Sequence, residues 1–257
     1  MTSEPKITFF DFPSPVCKPK AWNPNTWKAR LVLNYKQIPY KTVWLSYLDV
    51  EQTLIKAGGE GKATSTRHDD PSKPLYTLPA LLDESGPQPV VVIDSLKIAE
   101  YLDEKFPERP VIPKKGRAFE HMFEEFFVAT VVPFPLIPFT YEIQEEKSQP
   151  YFKSTIEARF GKIEDLSPEG PVRDAHWKDL ENGFDKVAAV LDKNGPDVDF
   201  VAGGSEPTRA DFILTAWLLC MRSVAPQEWK KRGVDQWANG RWAKLLKRTE
   251  EWQTVHE

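Results

Sequence analysis

Asp94-Ser95 stands directly ahead of an apolar-periodic run, Ser95 to Lys105 (SLKIAEYLDEK). A helix opening there offers free backbone N–H groups and positive potential to a carboxylate. The Asp94 carboxylate can accept from an ammonium. The same pair also suits a plain N-cap. Asn23-Pro24-Asn25-Thr26 sets an amide and a hydroxyl ahead of a second helical run, or makes an ordinary turn. Thr77-Leu78-Pro79 puts a proline at a strand, tolerated at a strand's first residue or on an edge. Thr208 and Asp211 have the spacing of a capping box. Phe119, Phe123, Phe126 and Phe127 form an aromatic stripe, which suits a core or the wall of a pocket for flat apolar ligands. His68, His121, His176 and His256 are scattered without metal-ligand spacing, so no metal site is expected.

These residues need elements to position them. Ile7 to Phe12 reads as a buried strand, Thr26 to Lys36 as an amphipathic helix ended near Pro39, and Lys41 to Ser46 as a second strand. That is a βαβ unit with parallel strands. A long connection, Glu51 to Pro74, follows, with a helix expected over its first residues, Glu51 to Ala57. Leu75 to Leu82 and Val90 to Ile93 are expected as an antiparallel hairpin turning at Gly86-Pro87. The Ser95 to Lys105 helix comes next. Phe106 to Gly116, with three prolines, reads as a linker. Everything after it is helical, with clear amphipathic runs at Trp177 to Leu191 and Phe212 to Val224. The expected organisation is an α/β domain over 1–105, a linker over 106–116 and an all-α domain over 117–257.

The 257 residues carry 34 basic and 38 acidic side chains, a net charge of −4. With 40% hydrophobic and 28% charged residues the chain is of ordinary globular composition. The slight acidity argues against nucleic acid or an anionic membrane as partner. No stretch approaches the ~20 apolar residues of a membrane span. Met1 to Phe12 lacks a basic start followed by a long apolar core, so no secretory signal is expected and the compartment expected is the cytoplasm. Two cysteines cannot make a disulfide framework. Cys17 reads as a loop thiol and Cys220 as a core residue.

A βαβ unit, then ββα, then a helical domain resembles the glutathione transferases, with their thioredoxin-like N-terminal domain. Thr77-Leu78-Pro79, Asp94-Ser95 placed so that Ser95 lies 16 residues past Pro79, and the Thr208–Asp211 box all match that family's pattern. The stretch Trp22-Asn23-Pro24-Asn25-Thr26-Trp27-Lys28-Ala29-Arg30-Leu31, with Asn34 to Tyr40 after it, is similar to the fungal-specific class A members, related to bacterial lignin β-etherases. The resemblance implies glutathione as co-substrate, no metal, and a homodimer. It implies that Leu78, before a cis Pro79, pairs with the glutathione backbone and that Asp94 with Ser95 holds the γ-glutamyl end. Arg67 and His68 fall where the family often contacts the glycine carboxylate.

In this family a donor before the first helix stabilises the glutathione thiolate. The resemblance places Asn23 there, with Thr26 as the second candidate. An Asn amide can donate to a thiolate but cannot form the mixed disulfide a Cys would. Ser14-Pro15-Val16-Cys17 resembles the Ser-Pro-x-Cys of the family's redox-active members, but Cys17 lies 13 residues before Arg30 where the family's motif lies about 7 before it, so it is out of register. The second substrate is expected to be an apolar aromatic electrophile, conjugated, cleaved at an ether or reduced as a peroxide. Trp22, Phe119, Phe123, Phe126 and Phe127 are its candidate wall, in a role such as detoxification of wood-derived or xenobiotic phenolics. The alternative is a carrier of hydrophobic phenolics on the same fold.

Overall fold

The structure, a computed structural model, describes residues 5–68, 70–195, 198 and 200–256. Strand β1 (Ile7–Asp11) is buried along its whole length, and a run such as ITFFD can sit only at the centre of a sheet. It pairs in parallel with β2 (Lys41–Trp44), Phe9 opposite Thr42, and antiparallel with β5 (Ala80–Asp83), Phe9 opposite Leu81. β6 (Val90–Ile93) closes the order β2-β1-β5-β6, with Ala80 opposite Ile93. Helix α1 (Pro24–Tyr35) connects β1 to β2. Helix α3 (Ser95–Lys105) follows β6, and the two helices pack on each other. α2 (Val50–Leu54) runs into a turn, Ile55–Gly59, that packs on β6.

One expected strand is divided. Residues 75–82 do not run as a single strand: β3 (Ser65–Thr66) and β4 (Pro74–Leu75) form a separate two-stranded ribbon, and β5 starts only at Ala80. Pro79 has no N–H to give a ladder, so pairing begins after it; the Leu78–Pro79 bond is cis. Elsewhere the expected boundaries shift by one to three residues, except that the helix expected from Trp177 begins six residues earlier, at Pro171. α1 starts at Pro24, whose missing N–H costs nothing at a first helical position.

The second region contains α4 (Arg117–Thr130), α5 (Ile137–Glu142), α6 (Gln149–Phe160), α7 (Ile163–Leu166), α8 (Pro171–Leu191), α9 (Arg209–Val224), α10 (Pro226–Lys231) and α11 (Trp237–Arg248). α9 is apolar nearly all round and therefore sits at the centre, packed on α1, α4, α10 and α11. Its capping box is formed: the Asp211 carboxylate accepts from the Thr208 N–H at 2.8 Å and from the Val201 N–H at 2.8 Å. No single helix among the described residues is long and apolar enough to cross a membrane.

The 106–116 segment is docked rather than loose. Val111 is buried, its N–H donates to the Asp103 carboxylate, and its carbonyl accepts from the Arg209 N–H at 2.8 Å. Lys36 Nζ donates to Asp103 and to the carbonyls of Glu108 and Arg109. One hydrophobic cluster runs through both regions, from Phe9, Trp27 and Leu31 to Phe212, Trp177 and Trp242.

Candidate functional site

Asn23 is the N-cap of α1. Its Oδ1 accepts from the N–H groups of Asn25 at 2.9 Å and Thr26 at 3.2 Å. Both are orphan donors of the first turn, and satisfying them fixes the side chain. With the oxygen committed, Nδ2 is left as the free edge of a half-buried side chain, and that edge can only donate. Thr26 behaves differently from the expectation. It is fully buried, and its hydroxyl donates back to the Asn23 carbonyl at 3.1 Å. This back-bond turns Thr26 into the helix and away from any ligand.

Beneath the loop lies a buried ion pair. Arg30 Nη2 donates to Asp11 Oδ2 at 2.7 Å, and neither side chain is exposed. Arg30 Nη1 also donates to the hydroxyls of Tyr40 and Thr42. Burial raises the Asp11 pKa, although Arg30 opposes the shift.

Asp94 caps α3 through Oδ1, accepting from the N–H groups of Leu96 at 2.9 Å and Lys97 at 3.1 Å. Its φ of 96° is one that L side chains rarely adopt. Such an outlier held in place by a cap and by the Asp94 N–H donating to the Pro79 carbonyl (3.1 Å) points to a functional constraint. Ser95 is the first residue of α3, where a backbone N–H has no intrahelical acceptor. Leu78 is buried in the same cluster as Trp22, so the residue before Asn23 and the residue before Pro79 share one packed patch.

A chain of charges joins these elements. Lys28 Nζ, on α1, donates to Asn25 Oδ1 at 2.9 Å and Glu124 Oε1 at 2.7 Å. Glu124 Oε2 accepts from Arg209 Nη2 at 2.5 Å, and Arg209 Nη2 also donates to Ser95 Oγ at 3.3 Å. Burial lowers the Lys28 pKa against the pull of Glu124. For Glu124 burial acts upward, but Lys28 and Arg209 together hold its carboxyl below the usual range. Glu120, one turn earlier on α4, is fully buried with neither oxygen in a hydrogen bond, and burial pushes its pKa up to about 7.

Other candidates are placed elsewhere. Arg67 and His68 face α6, lining with Leu75, Tyr151, Ser154 and Ala158 a cavity of 70 Å³. Phe127 and Phe123 are core side chains, Phe127 packing edge-on to Phe184, and Trp22 is 2% exposed. Phe126 is half-buried against that core, and Phe119 is 41% exposed. Tyr47, stacked on Phe12 at 4.3 Å, meets Tyr151 at 5.7 Å and Phe152 at 6.1 Å across the two regions, while the other cross-region ring contacts, such as Tyr35 with Phe212 and Trp252, lie in the shared core. The Cys17 thiol is buried beside the Ser223 carbonyl, and burial pushes its pKa up, the opposite of an activated nucleophile. Burial raises Cys220 as well. Among the described residues no group of His, Cys, Asp and Glu could hold a metal ion.

A capped donor before α1, a buried residue ahead of a cis proline and an acidic-Ser pair opening α3 are thus assembled on an α/β domain joined to a helical one. Residues 22–105 match the family described as glutathione S-transferase, N-terminal domain, and residues 116–252 match glutathione S-transferase, C-terminal domain. The chain belongs to the glutathione transferase family. It is 35% identical to the glutathione S-transferase CsGST83044 of Ceriporiopsis subvermispora, a structure in complex with glutathione, with a TM-score of 0.88 over 97% of this chain and 99% of that one. It is 32% identical to the glutathione transferase GSTFuA2 of Phanerochaete chrysosporium, with a TM-score of 0.86 over 98% and 100% of the two chains. A glutathione S-transferase-like protein, ustS, of Aspergillus flavus is 29% identical over 98% of this chain and 92% of its own length.

Sequence reasoning did not single out Lys28, Glu124, Arg209, Tyr47 or Tyr151 as site residues. One signal was present: a basic residue at the first position of α9 is unfavourable beside the helix's positive end, so Arg209 needed an acidic partner from another element.

Proposed function

We propose that the chain activates the thiol of glutathione and directs it at apolar aromatic electrophiles. Glutathione fits the donor set. The Ser95 N–H and hydroxyl suit the γ-glutamyl carboxylate, Asp94 suits its ammonium, and the Leu78 backbone suits the peptide. Asn23 Nδ2 donates to the sulfur. A thiol of pKa roughly 8.5 is mostly protonated at neutral pH, so a donor that favours the thiolate raises the reactive fraction. The proton leaves to solvent. The sulfur lone pair then forms the new S–C bond, and the displaced electron pair goes to the leaving group. Ether cleavage is this same displacement with an aryloxide leaving. The aromatic faces of Tyr47, Tyr151 and Phe152 suit the second substrate better than the buried Phe123, Phe127 and Trp22. The phenolic class is proposed from the likeness of the Trp22–Leu31 stretch to the etherase-related members.

The observation that carries this reading is the capping geometry of Asn23, which commits the oxygen and leaves a fixed amide donor. Two variants test it. N23A removes donor and cap together, and turnover with an aryl electrophile should fall about 10–100-fold, as for loss of one preorganised donor. N23D keeps the cap but replaces the donor by a carboxylate, and should lose at least as much activity while retaining stability. Full turnover in N23D would overturn the role given to the amide.

A further inference from the structure

Arg209 is 1% exposed, yet its guanidinium is only partly matched: Nε and Nη1 have no hydrogen-bond partner. Nη2 donates to Glu124 and to Ser95 Oγ at 3.3 Å. Glu124 already has a second cation, Lys28, so it does not need Arg209 for neutrality. Asp94 and the buried Glu120 also face this cluster. A buried ion pair is a poor way to gain stability, since apolar residues of like size do as well or better. A guanidinium retained here therefore needs another reason.

The Ser95 hydroxyl supplies one. A serine oxygen has one proton to give and two lone pairs to fill. Arg209 fills a lone pair. The proton is then free to donate on the far side, where the Ser95 N–H also points out of the first turn of α3. Arg209 thereby fixes the hydroxyl's polarity and brings a full positive charge next to whatever anion α3 holds. We propose that Arg209, contributed by the helical region, is a positioning residue for the carboxylate subsite at Ser95, held in register by Glu124 and Lys28. The inference rests on the glutathione reading above. It adds that the γ-glutamyl α-carboxylate is read jointly by the two halves of the molecule.

The experiment is calorimetric binding of two ligands to the wild-type chain and to R209M, R209K, S95A and the R209M/S95A double variant. One ligand is glutathione. The other is the same tripeptide with its γ-glutamyl α-carboxylate replaced by hydrogen. R209M should weaken glutathione about tenfold, the scale of one charge-assisted hydrogen bond, and the decarboxylated ligand less than about twofold. R209M should add little to S95A, because the arginine acts through that hydroxyl. R209K keeps the charge but lacks the rigid fork that spans Glu124 and Ser95, so it should fall between. If R209M does not fold, R209K against the two ligands reads the same difference. Equal weakening of both ligands by the arginine variants, or no weakening of either, overturns the proposal and leaves the glutathione reading intact. Failure of the wild-type chain to bind glutathione overturns that reading and this inference with it.

Discussion

At the scale of single residues, the site depends on which atom of a side chain is already occupied. In the sequence Asn23 stands first and Thr26 second as donor, since both are polar and lie at the same helix start. Hydrogen-bond commitments separate them, and those depend on a helix geometry that residue type alone does not state. Loss of the cap in N23A should also cost about 1 kcal/mol of stability. Glu120 gives a second prediction. Burial raises its pKa from 4.5 to about 7, with Asp211 adding to the shift and Arg209 opposing it. A raised acid pKa means that the folded chain binds the extra proton between those values. Stability attributable to this group is therefore full below pH 4.5 and is lost as pH rises through 7. E120Q, which stays neutral, should be more stable than the parent at pH 8 by about 1–3 kcal/mol, and the difference should shrink by pH 5. Thermal melts at the two pH values measure it. A pH-independent difference would mean that Glu120 titrates normally.

At the scale of elements, the proposed catalytic loop and the proposed carboxylate subsite are both helix N-termini, α1 and α3, each capped by the side chain assigned to the ligand in that proposal. The hydrophobic period predicted both helices. The division of residues 75–82 into a ribbon strand and a sheet strand was not legible, since the apolar run continues on both sides of Pro79 and only the ladder shows where pairing starts. Helix packing supplies a test of its own. A Cβ on Gly183 of α8 would meet the Thr130 carbonyl oxygen at 2.5 Å and the Val131 Cα at 3.3 Å. Gly to Ala in an open helix stabilises by roughly 1 kcal/mol. Here the close approach of α8 to the end of α4 reverses the sign, and G183A should destabilise by about 1–3 kcal/mol. Denaturant titration would show it as a lower midpoint with an unchanged slope.

At the scale of the molecule, the two regions share a core and do not behave as beads on a linker. The proline-rich, charged 106–116 segment reads in sequence as a linker at a domain boundary, with no sign of what it packs on. What fixes it are Asp103, eight residues before Val111, and the distant Lys36 and Arg209, which no local pattern reveals. The buried charges share that invisibility: Arg30 finds Asp11 through the register of β1 and α1, and Arg209 finds Glu124 through the packing of α9 on α4. Two expectations follow. The whole chain should unfold in one cooperative step seen alike by far-UV and tryptophan signals. A fragment ending at residue 115 should lack a stable fold, because it would expose the α1 surface that α9 covers. Two separated transitions, or a folded fragment, would contradict the shared core.

The thiol of bound glutathione is where the proposed activation would be seen most directly. Its thiolate absorbance, followed against pH in the complex after calorimetry has established binding, should titrate well below the free value of roughly 8.5, and N23A should bring it back toward that value. Binding with an unshifted thiol would contradict the activation assigned to Asn23 and leave a glutathione-binding carrier in its place.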